Sequence, residues 1–241
     1  MPGATVPGWY GKLPTLGDFA SRRLEPGWID AWDGWLSEGL AALREGLGDA
    51  WVEGYLASPP WRFVLLPGAR AGIDGAWAGV LMASVDRVGR YFPLTLAAPL
   101  AALPASTAEF DALLGWLHRL EDAAVDALQD DWDIDRLEHE LAALPCPQEA
   151  GEPAAAANAA AALLEHLIDG GAADSVAVPS ARAELMRLFT DEVVRRGQRA
   201  LGSVSFWLAA SEQPPRLMMT TGLPGACEFA GLFGSASPPA P

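Results

Sequence analysis

Positive charge is scarce in this chain of 241 residues, because 16 Lys and Arg stand against 31 Asp and Glu and give a formal net charge of -15. A protein that binds a phosphate polyanion needs a basic surface to displace its counterions. The composition therefore argues against nucleic acid and against anionic membrane surfaces as partners. The imbalance is uneven, since residues 1–100 have a net charge of -2 and residues 101–241 one of -13.

Cysteine and long apolar runs are also lacking. Cys146 and Cys227, the two cysteines, are far apart in unlike contexts, which excludes a Cys-x-x-Cys pair and a disulfide framework. Pro93, Pro99 and Pro104 interrupt the apolar segments before they reach the length of a membrane span. The N-terminus lacks the basic segment, followed by a continuous apolar segment, that a secretory signal has. We expect no membrane insertion and a cytoplasmic, reducing location.

Common signatures of catalysis and of cofactor binding are missing as well. His118, His139 and His166 stand alone on predicted helices, without a second ligand at metal spacing. The run GKLPT at 11–15 lacks the spacing of a phosphate-binding loop, and Pro14 removes an amide that such a loop needs. No Gly-x-Ser-x-Gly motif is present. The sequence therefore predicts no catalytic, cofactor or metal site and no nucleotide binding.

Periodicity predicts an early strand and then a long helix. Residues 9–13 alternate bulky and small side chains, which favours a short edge strand, and a loop is expected over 14–23. After Pro26, tryptophans and leucines recur at helical spacing, so we expect a helix of about five turns whose aromatic stripe faces the core. Its three tryptophans are Trp28, Trp32 and Trp35. A second, shorter helix is expected within 49–58.

Three apolar runs of strand length follow, joined by short connections, at 61–67, 77–86 and 91–100. Short connections favour antiparallel neighbours, so we expect a meander. Helical patterns then dominate, beginning at Thr107 as a helix cap and continuing over 133–144, 154–167 and 180–197. Two further strands, at 203–210 and 216–222, form a predicted hairpin before a short closing helix.

These elements predict one mixed α/β domain over residues 1–233, with helices on both faces of a largely antiparallel sheet that the last two strands rejoin. A tail at 234–241 is expected to be disordered. Two domains divided near residue 103 are the alternative.

Two short motifs combine acids, arginines and glycine. In LGDFASRR, Gly17 and Asp18 predict a turn in which the carboxylate accepts backbone N–H groups. In SVDRVGRYFPL, Gly89 permits a positive φ, and Asp86 can pair with Arg87 or Arg90 to fix the turn. Such a pair can fix the register of the sheet or take part in binding, and the sequence leaves both possibilities open.

The order of these motifs identifies a family resemblance. The runs GWYGKLPTLGDFASRRL, WDGWLSEGL, WRFVLLPG, WAGVLMASVDRVGRYFPLTLAAPL and the late GLPG resemble the TagF family, accessory proteins of bacterial type VI secretion systems. The resemblance is dense over residues 8–100 and weaker over 203–233. It implies a three-layer α/β sandwich without cofactors. It also implies a cytoplasmic, non-catalytic regulator that represses secretion post-translationally by binding a forkhead-associated scaffold protein.

The residues of the motifs are the candidates for partner binding under this interpretation. They are Lys12, Gly17, Asp18, Phe19, Ser84, Asp86, Arg87, Gly89, Arg90 and Phe92. A small-ligand binder or an enzyme with a cleft around Asp18, Asp86 and Arg90 is the alternative. The acidic segment 109–140 carries eleven Asp and Glu against two arginines. It is either a solvated helical surface or a docking surface for a basic partner.

Overall fold

The computed structural model describes residues 5–104, 107–147, 203–211 and 215–234. Within these ranges seven strands form one antiparallel sheet in the order β2-β1-β5-β4-β3-β6-β7. The strands are β1 (Gly8–Gly11), β2 (Ala20–Arg22), β3 (Trp61–Leu65), β4 (Ala76–Met82), β5 (Leu94–Leu100), β6 (Val204–Ala209) and β7 (Arg216–Thr221). The expected meander β3-β4-β5 and the β6-β7 hairpin are confirmed, and β6 joins the sheet beside β3.

Helices cover both faces of this sheet. They are α1 (Pro26–Leu47), α2 (Trp51–Leu56), α3 (Thr107–Gln129), α4 (Ile134–Ala142) and α5 (Ala226–Phe233). Buried residues of α1, α2 and α5 share one core with the sheet, and buried residues of α3 and α4 share the other. The predicted three-layer α/β sandwich is therefore confirmed. In the part of the chain that the structure describes, every helix is too short or too polar to cross a membrane.

Tryptophans fill the core under α1, as their helical spacing predicts. Trp32 is 0% exposed and donates its indole N–H to Thr95 Oγ1 at 2.8 Å. Trp35 donates to the carbonyl of Pro224 at 2.8 Å, which ties α1 to the segment before α5. Gly39 lets the two helices approach closely, because a Cβ there would lie 2.3 Å from the ring of Phe229. Trp32 and Trp35 are therefore buried with their indole N–H groups hydrogen-bonded, whereas Trp28 Nε1 is buried without a partner among the described residues.

The start of the sheet corrects two predictions. β1 is not an edge strand, because it lies between β5 and the short strand β2. β2 itself falls within the predicted loop 14–23, where Ala20 pairs with Gly11 and Arg22 with Trp9. Three residues are too few to show an alternating pattern, so pairing with β1 rather than local sequence defines this strand.

The remaining predictions concern ends and segments. β4 ends at Met82 and β5 begins at Leu94, so both strands are shorter than expected at the connection between them. Helices predicted at 154–167 and 180–197, and the tail after 234, lie outside the described residues. The division of the chain into domains stays a prediction.

Candidate functional site

The connection between β4 and β5 is a tight turn around Asp86. The amide of Asp86 donates to the carbonyl of Arg90 at 3.0 Å, and the amide of Gly89 donates to the carbonyl of Asp86 at 3.0 Å. Gly89 has a φ of +81°, a conformation that glycine adopts without steric cost. Val85 and Tyr91 pair across the turn as an isolated antiparallel bridge. The turn therefore has the conformation that its glycine predicts.

The carboxylate of Asp86 is buried and accepts four hydrogen bonds. Its Oδ1 accepts from the backbone N–H groups of Val88 at 3.0 Å and Arg90 at 2.9 Å. Its Oδ2 accepts from Lys12 Nζ at 2.8 Å and from Arg90 Nε at 2.7 Å. A carboxylate has about four lone-pair positions. Those of Asp86 are all occupied by the protein, so the group has no acceptor position left for a ligand.

Opposing effects act on the pKa of Asp86. Burial alone would raise this pKa, whereas hydrogen bonds from Lys12, Arg90 and Val88 lower it. The net result is a pKa well below the ordinary carboxyl value of 3.8. The carboxylate is therefore charged at neutral pH and contacts two cations. We call Lys12, Asp86 and Arg90 the Asp86 triplet.

Hydrogen bonds from neighbouring groups extend the triplet into the core. Ser84 Oγ donates to the carbonyl of Lys12 at 2.7 Å. The hydroxyl of Tyr55, on α2, donates to the carbonyl of Ser84 at 3.0 Å and accepts from its amide at 2.9 Å. Ser84 also accepts from the amide of Phe92 at 3.1 Å through its carbonyl. The end of β1, the turn and α2 are thereby fixed relative to one another.

The connection between β1 and β2 is held against the same turn. The amide of Arg87 donates to the carbonyl of Leu16 at 3.0 Å, and Arg90 Nη2 donates to the carbonyl of Gly17. The carboxylate of Asp18 accepts the amide of Phe19 at 2.8 Å, as the predicted turn requires. Of the two arginines that could pair with Asp86, the structure selects Arg90. Arg87 contributes its main chain to the junction instead.

Apolar side chains are exposed on top of this buried network. Phe19 is 44% exposed and Val88 is 62% exposed. The Phe19 ring packs edge-on against Phe92 at 4.8 Å and is stacked 5.9 Å from Tyr10. Lys12 Nζ lies 4.9 Å from the centre of the Phe19 ring. The two motifs therefore meet at one surface, where a rigid frame presents apolar groups to solvent.

Sequence reasoning placed Lys12 in the motif without recognising its role. The lysine is 3% exposed and pairs with a carboxylate 74 positions away in the sequence, so no local sequence pattern predicts the contact. One signal was available, because a single lysine directly after an apolar strand is either at the surface or paired in the interior. Tyr55 was missed altogether, and its hydrogen bonds to Ser84 depend on how α2 packs on the sheet.

A second ion pair, partly buried, lies on the opposite face of the sheet. Arg62 of β3 donates through Nε to Glu121 of α3 at 2.5 Å, and its Nη2 lies 3.0 Å from His118 Nδ1. His118 also lies 3.8 Å from Asp122. These contacts tie α3 to the sheet, and they give this histidine a structural setting at the surface.

The alternative of a small-ligand binder or enzyme with a cleft around Asp18, Asp86 and Arg90 stays a prediction. Asp86 is enclosed and saturated, Asp18 binds its own loop, and the groove next to Arg90 is lined by neither of these acids. Within the described ranges, no group of three or more His, Cys, Asp and Glu could hold a metal ion.

Comparisons with known proteins agree with the sequence motifs. The model of the TagF N-terminal domain, type VI secretion system-associated, matches residues 8–144, which include both motifs and the Asp86 triplet. The crystal structure of PA0076 from Pseudomonas aeruginosa PAO1 is similar to the chain, with 30% sequence identity and a TM-score of 0.65. The similarity covers 98% of this chain and 97% of that one. No curated protein matches the sequence significantly.

Proposed function

The chain belongs to the TagF family of type VI secretion system-associated proteins, and we propose that it is a non-catalytic cytoplasmic regulator of this system. In this proposal it represses secretion post-translationally by binding a forkhead-associated scaffold protein. The observation that carries the proposal is the surface built from the two family motifs. Phe19 and Val88 are exposed there, on a frame that the buried carboxylate of Asp86 holds together through Lys12 and Arg90.

A rigid exposed apolar surface suits protein binding. Contacts of this kind form with little loss of conformational entropy, because the groups are already ordered. Aromatic residues at the centre of a patch are typical of residues that dominate binding energy. The motif surface combines an exposed phenylalanine with an ordered loop, which supports a role in recognition.

The chemistry of the same residues supports the non-catalytic part of the proposal. Catalysis needs a nucleophile, a base or a bound metal with a position open to substrate. Asp86 has no such position, and Lys12 is 4% exposed at its side chain. Their charges are used to join chain segments, which is a structural task.

A binding experiment with a matched control tests this proposal. The full chain is immobilised, and retention of the purified forkhead-associated scaffold protein is measured for wild type, Val88→Glu and Leu217→Glu. Val88, in the β4–β5 turn, and Leu217, in the edge strand β7, are 62% and 63% exposed, so both variants add the same charge at nearly equal exposure. We expect Val88→Glu to reduce retention by about tenfold and Leu217→Glu to leave it within about twofold.

Secretion in cells supplies the second measurement. Overproduction of the wild type and of Leu217→Glu should reduce the release of type VI substrates into the medium, and Val88→Glu should not. If the wild type fails to retain the scaffold protein, or if all three proteins act alike on secretion, the proposed function is wrong.

A further inference from the structure

A groove of about 610 Å³ opens next to the motif surface, between the end of α1, α2 and the β4–β5 connection. Aromatic side chains line much of it: Phe19, Trp51, Tyr91 and Phe92. Trp51 contacts Tyr91 edge-on at 5.4 Å, and Phe19 contacts Phe92 in the same way at 4.8 Å. The groove therefore offers ordered ring faces and edges to an occupant.

Its charged residues are all cationic. Lys12, Arg44 and Arg90 line the groove, and no carboxylate does. Asp86 lies beneath with 0% of its side chain exposed and neutralises one of these charges from below. In a chain with a net charge of -15, a groove that keeps an excess of positive charge is a local reversal of sign.

Both arginines of the groove are held by contacts within the protein. The guanidinium of Arg44 lies 4.4 Å above the ring of Trp51. Stacking uses the flat face of the group and leaves the N–H edge for hydrogen bonds. Arg90 uses Nε for Asp86 and one Nη2 hydrogen bond for Gly17, and its side chain is 53% exposed. Guanidinium edges of this kind are suited to carboxylates.

We propose that this groove binds an acidic segment of a protein partner, with carboxylates on Arg44 and Arg90 and an apolar side chain on the aromatic rings. Charge complementarity carries the choice of occupant, because the groove is cationic and contains rings but no acid. A second copy of the chain is a poorer occupant, since two molecules of charge -15 repel each other. The proposal rests on the proposed function, and it names the part of the partner that enters the groove.

The chain contains a close control for Arg44. Arg136 on α4 is also an arginine over a tryptophan ring, 5.2 Å from the ring centre of Trp132, but it lies on the acidic layer and its Nη2 also pairs with Glu140 at 2.9 Å. Arg44→Glu and Arg136→Glu change the net charge equally. A difference between them therefore reports the position of the charge and not the total.

The probe is a fluorescein-labelled peptide in which glutamates surround one central phenylalanine, compared with a peptide that has glutamine at each glutamate position. Anisotropy is measured on the full chain at low salt, and circular dichroism checks the fold of each variant. We expect the acidic peptide to bind wild type about tenfold more tightly than the glutamine peptide. Arg44→Glu should weaken the acidic peptide by about tenfold and Arg136→Glu by less than about twofold.

Three results would overturn the inference. The first is equal binding of both peptides or binding of neither, and the second is an equal effect of the two arginine variants. The third is a homodimer in sedimentation that dissociates on Arg44→Glu, because it would identify a second copy as the occupant. Retention of the scaffold protein that is unaffected by Arg44→Glu would reject the groove and leave the proposed function intact. Peptide binding without scaffold retention would reject the function and leave the groove intact.

Discussion

The two faces of the sheet treat charge in opposite ways. On the face of α1, α2 and α5, the principal charged cluster is the Asp86 triplet, whose carboxylate and lysine are buried and whose hydrogen bonds are directional. On the face of α3 and α4, most acids are on the outer helical surface, and the segment 109–140 has a net charge of -9. Buried charges with fixed partners specify geometry, whereas exposed charges mainly produce a field that salt screens.

The cores behind the two faces differ in the same sense. Tryptophans under α1 fix their neighbours through directed N–H bonds, as Trp32 does with Thr95. Under α3 most of the buried residues are smaller aliphatic groups such as Ala78 and Val80. Trp9 and Trp116 also lie in this core, and they donate their indole N–H groups to Glu138 and to the carbonyl of Leu144. The first face therefore combines shape and hydrogen bonding near the motif surface. The second is a mainly aliphatic layer with two tryptophans, and it carries a charged exterior.

The largest expected difference between the two faces is in stability, when the buried carboxylate of Asp86 is removed. Asp86→Ala leaves Lys12 and the Arg90 side chain without their shared acceptor, and buried donors without partners are strongly destabilising. We expect the thermal midpoint to fall by roughly 5–10 °C. Differential scanning calorimetry or circular dichroism measures this.

Asp18→Ala is the control for that change, because Asp18 is an exposed carboxylate of the same motif surface that accepts a single bond from its own loop. Its midpoint should stay within about 2 °C of wild type. An unchanged midpoint for Asp86→Ala would contradict the structural role of the triplet and would favour a direct role in binding.

The origin of the triplet also shows how far the sequence could predict this fold. In α1 the buried residues recur at helical spacing, and in β5 they form an almost unbroken run. Periodicity and composition therefore predicted both elements. Asp86 and Arg90 are four residues apart, and their pairing was within reach of local reasoning. Lys12 and Tyr55 were not, since their contacts depend on the register of β1 against β5 and on the packing of α2.

Low pH should destabilise the face of α1, α2 and α5 through the carboxylate of Asp86. The folded-state pKa of Asp86 is lowered, so its contribution to stability is complete above the ordinary carboxyl value of 3.8 and is lost as the pH falls below it. We therefore expect the urea midpoint of wild type to fall more between pH 5 and pH 3 than that of Asp86→Asn, which lacks this titration. Parallel profiles for the two proteins would contradict the lowered pKa. Glu138, whose pKa is also lowered by Arg23 and Trp9, titrates in both proteins and cancels in the comparison.

The second face should affect the rate of binding more than the fold. Glu121, Glu138 and Glu140 of the segment 109–140 form ion pairs with arginines. The exposed acids of this segment form a field that can speed encounter with a basic partner surface. We therefore change four of them together to asparagine: Asp130, Asp131, Asp133 and Asp135. Asparagine suits two special positions in this set. Asp133 caps α4 by accepting the amide of Arg136 at 2.8 Å, and Asp131 has a φ of 50°, which asparagine also tolerates.

For this variant we expect the association rate with the scaffold protein to fall by about threefold at low salt, with a smaller change in the dissociation rate. Stopped-flow or surface plasmon resonance at two salt concentrations measures both rates.

The control carries the same charge change on the other face, with amides at Glu25, Asp30, Asp74 and Glu228, all of which are exposed. If position matters, the control keeps more of the association rate than the variant, because steering depends on where the charge faces the partner. Equal loss in both proteins would show that only net charge acts. If the association rate changes neither with the four substitutions nor with salt, the acidic helices are only a solvated surface. Recognition would then belong to the motif face alone.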